Sequence, residues 1–323
     1  MKLGSFTINF YDQPFEQALQ SVRSFGCEMV EIGCGGFIGK RHCDPAALLA
    51  DEDALQRFRE MVGTAGLEIS ALSCHMNGLH PDRSIGGAHR QEFRDTIRLA
   101  ERLGVARVIT FAGCPGDSDD AKYPNWVTCP WPDYFHELLT WQWEQKVIPF
   151  WREEVAFAKE HGIAKICLEM HPGDVVHSPE KLLRLRAAVG PEIGCNFDPS
   201  HLVLAFDGLG LALSRAAAMQ GARMLHLMSP ASSGLPRFLS PVQEGQNGFA
   251  TVQKTVSALV AEAGQLAMPM QPCSLAVADG AEDHATMAVS TMRRLGAMLA
   301  QMRLLCAVEL MVGAQACDLR DGL

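Results

Sequence analysis

Two short apolar runs in the middle of the chain end in ionisable groups. One reads Lys165-Ile-Cys-Leu-Glu169-Met-His171-Pro, the other Ile193-Gly-Cys-Asn196-Phe-Asp198-Pro-Ser-His201. In each, the apolar stretch stops at a carboxylate, an imidazole follows within three residues, and a proline marks a turn. A buried parallel strand delivers functional groups to its C-terminal end in this way. Glu169 and Asp198 are separated by about one strand, loop, helix and return, so adjacent parallel strands would set both carboxylates at one rim. Two carboxylates and two imidazoles at one place suit a divalent metal ion. One Glu at a strand end is ordinarily a solvated cap. The repetition of carboxylate and imidazole at the same strand-to-loop boundary one unit later is what points to a site.

The elements that must position these groups recur along the chain. Residues 2–9 read as a strand, and Asp12 with Pro14 opens a helix to about Phe25, where Phe15, Ala18, Leu19, Val22 and Phe25 repeat at helical spacing and Gly26 ends the run. Residues 28–33 form a second strand, and a helical stretch runs from Asp44-Pro45 to Ala65. The third strand, 67–74, ends in His75-Met-Asn77-Gly-Leu-His80, and a helix over 87–103 is capped by Gly104 before a fourth strand over 105–112. Strands alternating with helices imply a parallel sheet, and steady recurrence without a linker favours closure into a (β/α)8 TIM barrel over residues 1–302. The count reaches eight if Arg223–Met228 and Leu266–Pro272 are the seventh and eighth strands. Residues 303–323 are then a C-terminal extension.

One longer excursion, residues 117–143, follows the fourth strand and carries Trp126, Trp131, Trp141 and Trp143. In a barrel it would lie over the mouth, where amphipathic rings suit a sugar-like ligand or else pack the rim. Trp141 and Trp143, at the start of a helix, read as structural. Composition shifts after His201: all five Trp and all three Tyr precede it, whereas ten of the fifteen Met follow it.

Bulk properties exclude several classes. The net charge is -9 with no Lys/Arg cluster, which gives no support for a nucleic-acid or anionic-membrane surface. Eleven cysteines in 323 residues are too sparse for a disulfide scaffold, and most sit in apolar strand-like runs. With no signal-peptide pattern and no apolar run read as membrane-length, a reducing, cytoplasmic setting is the expectation. No Gly-rich phosphate loop followed by Lys and Ser/Thr is present.

At Val30-Glu31-Ile-Gly33, Ser70-Ala-Leu-Ser-Cys-His75, Gly113-Cys-Pro-Gly-Asp117, Tyr123-Pro-Asn-Trp-Val-Thr-Cys-Pro-Trp131, Leu168-Glu-Met-His-Pro172 and Asn196-Phe-Asp-Pro-Ser-His201, the chain resembles the xylose-isomerase-like TIM-barrel superfamily of sugar phosphate isomerases and epimerases. The resemblance covers residues 1–203 and fades afterwards. It implies a divalent cation, Mn, Mg, Co or Zn, held by Glu169 on the fifth strand and Asp198 on the sixth, with His201 facing the substrate. The seventh-strand ligand would be His226, or Met228 stands at its position. The eighth-strand Glu is replaced by Gln271, which cannot act as a base; Glu309 is a distant substitute.

The resemblance further implies proton abstraction next to a carbonyl through an enediolate, with Glu169 as base, His171 as proton carrier, and His75, Asn77, His80 and Trp126 against the substrate. The substrate would be a sugar, keto-sugar or glycoside. A barrel that binds sugars or a partner without efficient turnover is the alternative, because of Gln271 and Met228. The apurinic-endonuclease branch of the superfamily is disfavoured by the acidic balance. The Met-rich last third offers a surface for homo-oligomerisation.

Overall fold

The structure, a computed structural model, describes residues 2–127, 129–241, 247–269 and 288–321. The chain divides into two compact units, Met1–Asp198 and Pro199–Leu323.

The first unit is α/β. Its strands are β1 (Gly4–Phe6), β2 (Met29–Gly36), β3 (Glu68–His75), β4 (Arg107–Phe111), β5 (Lys165–Glu169) and β6 (Ile193–Asn196). They form one sheet in the order β1-β2-β3-β4-β5-β6, every pair parallel. Sequential parallel order is that of a (β/α)8 barrel. The helices between them are α1 (Phe15–Ser24), α2 (Pro45–Ala50), α3 (Glu52–Thr64), α4 (Arg83–Leu103), α5 (Asp133–Trp141), α6 (Ile148–Glu160) and α7 (Pro179–Val189).

Each element forms for local reasons. On α1 the stripe Ala18, Leu19 and Val22 is fully buried, as helical spacing requires. The Asp82 carboxylate caps α4 by accepting from the Ser84 N–H, and Gly104 closes it in the left-handed region that glycine adopts without strain. Asp51 breaks the long helical stretch into α2 and α3, because its carboxylate caps the second helix by accepting from Ala54. Ile166 and Leu168 on β5 are fully buried, whereas Cys167 and Glu169 alternate with them. Period-two alternation therefore puts Glu31, Ser73, His75, Phe111 and Glu169 on the sheet face opposite the one that packs Val30, Ile32, Leu72, Val108, Ile166 and Leu168.

The second unit is helical: α8 (Val203–Leu227), α9 (Pro230–Ser233), α10 (Ala250–Leu266) and α11 (Ala288–Asp321). Its core gathers Met224, Met228, Leu239, Val256, Met298, Leu305 and Val312. The seventh strand expected at Arg223–Met228 is the end of α8 and its C-cap. Ala, Leu, Met and Arg favour helix throughout this stretch, and nothing stops it before Ser229-Pro230. Of the expected eighth strand, Leu266 ends α10, and the part from Met270 on lies outside the described residues. Residues 303–321 continue α11. Within Ala288–Arg320 of that helix, an 18-residue window has a mean hydropathy of 1.6, so the segment is long and apolar enough to cross a membrane by length and composition alone.

Gly221 marks a tight crossing of α8 and α10: a Cβ there would lie 2.9 Å from a Val260 methyl. Gly221→Leu is expected to destabilise the second unit by about 2–3 kcal/mol. Urea unfolding followed by far-UV circular dichroism checks this, and an unchanged transition would mean that the crossing is loose.

Candidate functional site

The carboxylates and imidazoles of the first unit meet at the C-terminal ends of β3, β5 and β6, with Glu31 of β2 on the same sheet face. Glu169 ends β5, and its Oε2 accepts from Asn196 Nδ2 at 2.7 Å, one strand over on β6. The same oxygen lies 3.4 Å from Nε2 of His75, the last residue of β3. Asp198, just past β6, offers a carboxylate oxygen within 4.8 Å of one of Glu169. Two acidic groups from neighbouring strand ends thus face one another, as the sequence pattern predicts.

His75 is 4 % exposed, with its ring edge-on to Phe111 at 4.6 Å. With Nε2 directed at Glu169, Nδ1 is buried and has no hydrogen-bond partner among the described residues. An orphaned buried nitrogen costs roughly 1–3 kcal/mol, and groups of this kind collect where ligands bind. His171 sits across Phe111, ring centroids 4.9 Å apart, and its Nδ1 accepts from the Gly173 N–H and lies 3.7 Å from Asp174 Oδ2.

Burial sets the electrostatics. Asp174, 7 % exposed, is pushed up to about 7, chiefly by loss of water and further by the charge of Glu169; a hydrogen bond from the Gly113 backbone opposes the rise. Glu31 is also raised by burial and by Glu169, against the pull of the Ser73 hydroxyl that donates to it. Glu31 escaped the sequence reading as a site residue. Its signal was there: a carboxylate inside the apolar run Met29–Cys34.

The remaining expected residues are divided between the two units. The Asn77 amide is committed to backbone: Nδ2 donates to Cys114 O, and Oδ1 accepts from the Cys114 and Leu79 N–H groups, all within 3.1 Å. It clamps the β3 and β4 loops together. His80 Nδ1 accepts from the Asp82 N–H. Trp126 stacks on His177 at 4.1 Å. Trp131 is 75 % exposed, whereas Trp143 is buried. His201 lies on the 3-10 turn Pro199–Leu202 that opens the second unit. His226 is an exposed residue in the last turn of α8 and not a strand end, while Met228 is core of the helical unit. Glu309, on α11, pairs with Arg223 at 2.7 Å. Gln271 lies outside the described residues.

Comparison with known proteins divides along the chain. The sequence model of the aromatic amino acid lyase family matches residues 190–323. The uncharacterized protein YfiH of Bacillus subtilis (strain 168) is 37% identical over 205 residues, 63% of this chain and 65% of that protein. Histidine ammonia-lyase of Anaeromyxobacter sp. (strain K) is 38% identical over 130 residues, 40% of this chain and 26% of the lyase. Among solved structures, a putative xylose isomerase from Rhodospirillum rubrum aligns with a TM-score of 0.48 and 17% identity, over 63% of this chain and 67% of its own. The chain therefore spans about two thirds of one relative and a quarter of the other. Xylose isomerase domain proteins and a D-psicose 3-epimerase are among the solved structures that align over 62% or more of this chain.

Proposed function

We propose that the first unit binds a small sugar or sugar derivative at the C-terminal ends of its strands and removes a proton next to the carbonyl, as an isomerase or epimerase does. The observation that carries this reading is the Glu169 carboxylate, fixed by Asn196, facing His75, with Asp198 beside it. Glu169 and Asp198 would hold a divalent cation, Mn, Mg, Co or Zn. The donor set fits Mg or Mn best, since Mg is commonly held by one or two carboxylates while keeping several waters, and carboxylate and water ligands also suit Mn. When bound, the ion would draw electron density from a carbonyl or hydroxyl oxygen and acidify the neighbouring C–H.

The chain's own groups supply the rest. Asn196 and His75 both engage Oε2 of Glu169, which orients the carboxylate that takes the proton. His75 Nδ1, an acceptor when Nε2 carries the hydrogen, would receive a substrate hydroxyl and so lose its orphan status. Asp174, with a pKa of about 7, holds a proton part of the time at neutral pH and is a donor for its return. The reducing, cytoplasmic setting expected from the cysteines goes with this reading, and the ten described cysteines are free thiols.

A sugar-binding barrel without turnover is the second reading. It is favoured by the place of His226, on a helix of the second unit and not on a seventh strand. The lyase similarity covers a quarter of the lyase, and we assign it helical packing and no chemistry.

Elemental analysis of protein purified without chelator, with proton NMR of ketoses incubated in D2O, tests these readings. About one metal equivalent, lost in Asp198→Asn, together with solvent deuterium entering a ketose, is the expected result. Metal without exchange would favour the binder, and no metal after reconstitution would sink the cation site.

A further inference from the structure

Beside the mouth lies a cleft of about 240 Å³, between the segment that follows β4 and the loop that leads into α7. Trp126, Val127, Leu139, Trp143 and Val175 give it apolar walls. It is built rather than loose. Gln142, 1 % exposed, donates to Gly116 O at 3.0 Å and Asn125 O at 2.6 Å and accepts from the Val127 N–H, so the aromatic segment is tied to the helix behind it. His177 backs the Trp126 indole, and burial lowers its pKa, so the ring is held neutral.

The rim carries no unmatched charge. Lys181 pairs with Glu180 at 3.2 Å, and the Ser178 hydroxyl caps α7 by accepting from the Lys181 N–H. A phosphate or carboxylate would find no uncommitted cation among these lining residues. The cleft's size suits one ring, below the several hundred Å³ of a whole ligand pocket. It also adjoins the site: Val175 lines it, its N–H donates to Gly113 O, and the preceding residue is Asp174, whose carboxyl feels the charge of Glu169.

We propose that this cleft is a second subsite that takes an uncharged, ring-shaped aglycone, so that the preferred ligand of the first unit is a glycoside whose sugar ring carries a ketone, with free sugars and simple glycosides filling the mouth more weakly. This rests on the reading of the mouth as a sugar site. An indole wall favours such a ring by stacking, while the sugar reaches Glu169 and His75.

Calorimetric titration of the full chain, loaded with Mn²⁺, with methyl and phenyl β-glycosides of glucose, galactose and xylose separates the two claims. Within at least one pair the phenyl glycoside is expected to bind about tenfold tighter. Trp126→Ala should bring that ratio close to one, and Trp126→Phe should keep most of it. An equal affinity of the two partners in the parent chain, or a ratio unchanged in Trp126→Ala, would overturn the subsite. Methyl glycoside binding that is lost in Asp198→Asn reads the mouth alone, so it can stand while the subsite falls. Failure of every pair to bind would overturn both.

Discussion

Glu169→Gln is expected to lower deuterium exchange by about a thousandfold while leaving the first unit at least as stable as the parent. The two effects have one cause. The carboxylate at 169 stands near three other acidic groups, Asp198, Glu31 and Asp174, and its charge raises the last two. Removing that charge relieves the repulsion, and Gln still offers an oxygen to the Asn196 amide that now donates to Oε2. A group that destabilises its surroundings in this way is expected of a working site, where activity trades against stability. Metal content should fall together with exchange, because the neutral amide is a weaker ligand for a hard cation. Urea unfolding followed by tryptophan fluorescence reads the first unit alone, since all five Trp lie before residue 198. A gain of about 1 kcal/mol is the expected size. A loss of several kcal/mol, with exchange unaltered, would make Glu169 a structural residue.

The first unit was legible because its local signals agree with its tertiary arrangement. Gly26 and Gly104 adopt positive φ at the helix-to-strand turns where the sequence places them, and the carboxylates at 169 and 198 follow strands whose apolar residues alternate or run as buried parallel strands do. Glu31 is hard to find because a carboxylate within an apolar strand gives no sign of its facing partner: Ser73 and His75 come from the next strand, some forty residues on. The backbone partners of Asn77 are hidden in the same way. A polar residue after a strand reads as a ligand contact, and only the fold brings Cys114 to its amide.

The last third failed for a different reason. A five- or six-residue apolar run such as Arg223–Met228 cannot be told as strand or helix from its periodicity, and the expectation of eight strands decided the matter wrongly. The composition itself held the better clue. Loss of Trp and Tyr and enrichment in Met, Ala and Leu after His201 coincide with the start of the helical unit at Pro199 and with a family match beginning at residue 190. Residues of high helix propensity, with apolar side chains on more than one face, build a helical core and not a strand end.

Asp174→Asn is expected to make the first unit more stable than the parent above pH 7, by about 3–4 kcal/mol at most, and to leave it nearly unchanged near pH 4. The folded carboxyl, with a pKa of about 7 against an ordinary 3.8, holds its proton where the unfolded chain has lost it. Folding stability therefore falls as pH rises from about 4 to 7 and is flat beyond, each pH unit in that window removing about 1.36 kcal/mol. The carboxyl is only 10% exposed, so solvent screening takes little from this. Asn carries no such charge, and its oxygen can still accept from the Gly113 backbone. Tryptophan fluorescence melts in urea at pH 4.5, 6 and 8 give the difference between variant and parent, in which every other titrating group cancels. A difference that stays constant with pH would mean that the buried carboxyl ionises as easily folded as unfolded. Added Mn²⁺ should flatten the slope, because a cation at Glu169 and Asp198 would offset the negative charge that Asp174 feels from Glu169 and stabilise its ionised form. A slope unchanged by Mn²⁺, in protein shown to bind the ion, would place the cation away from these carboxylates.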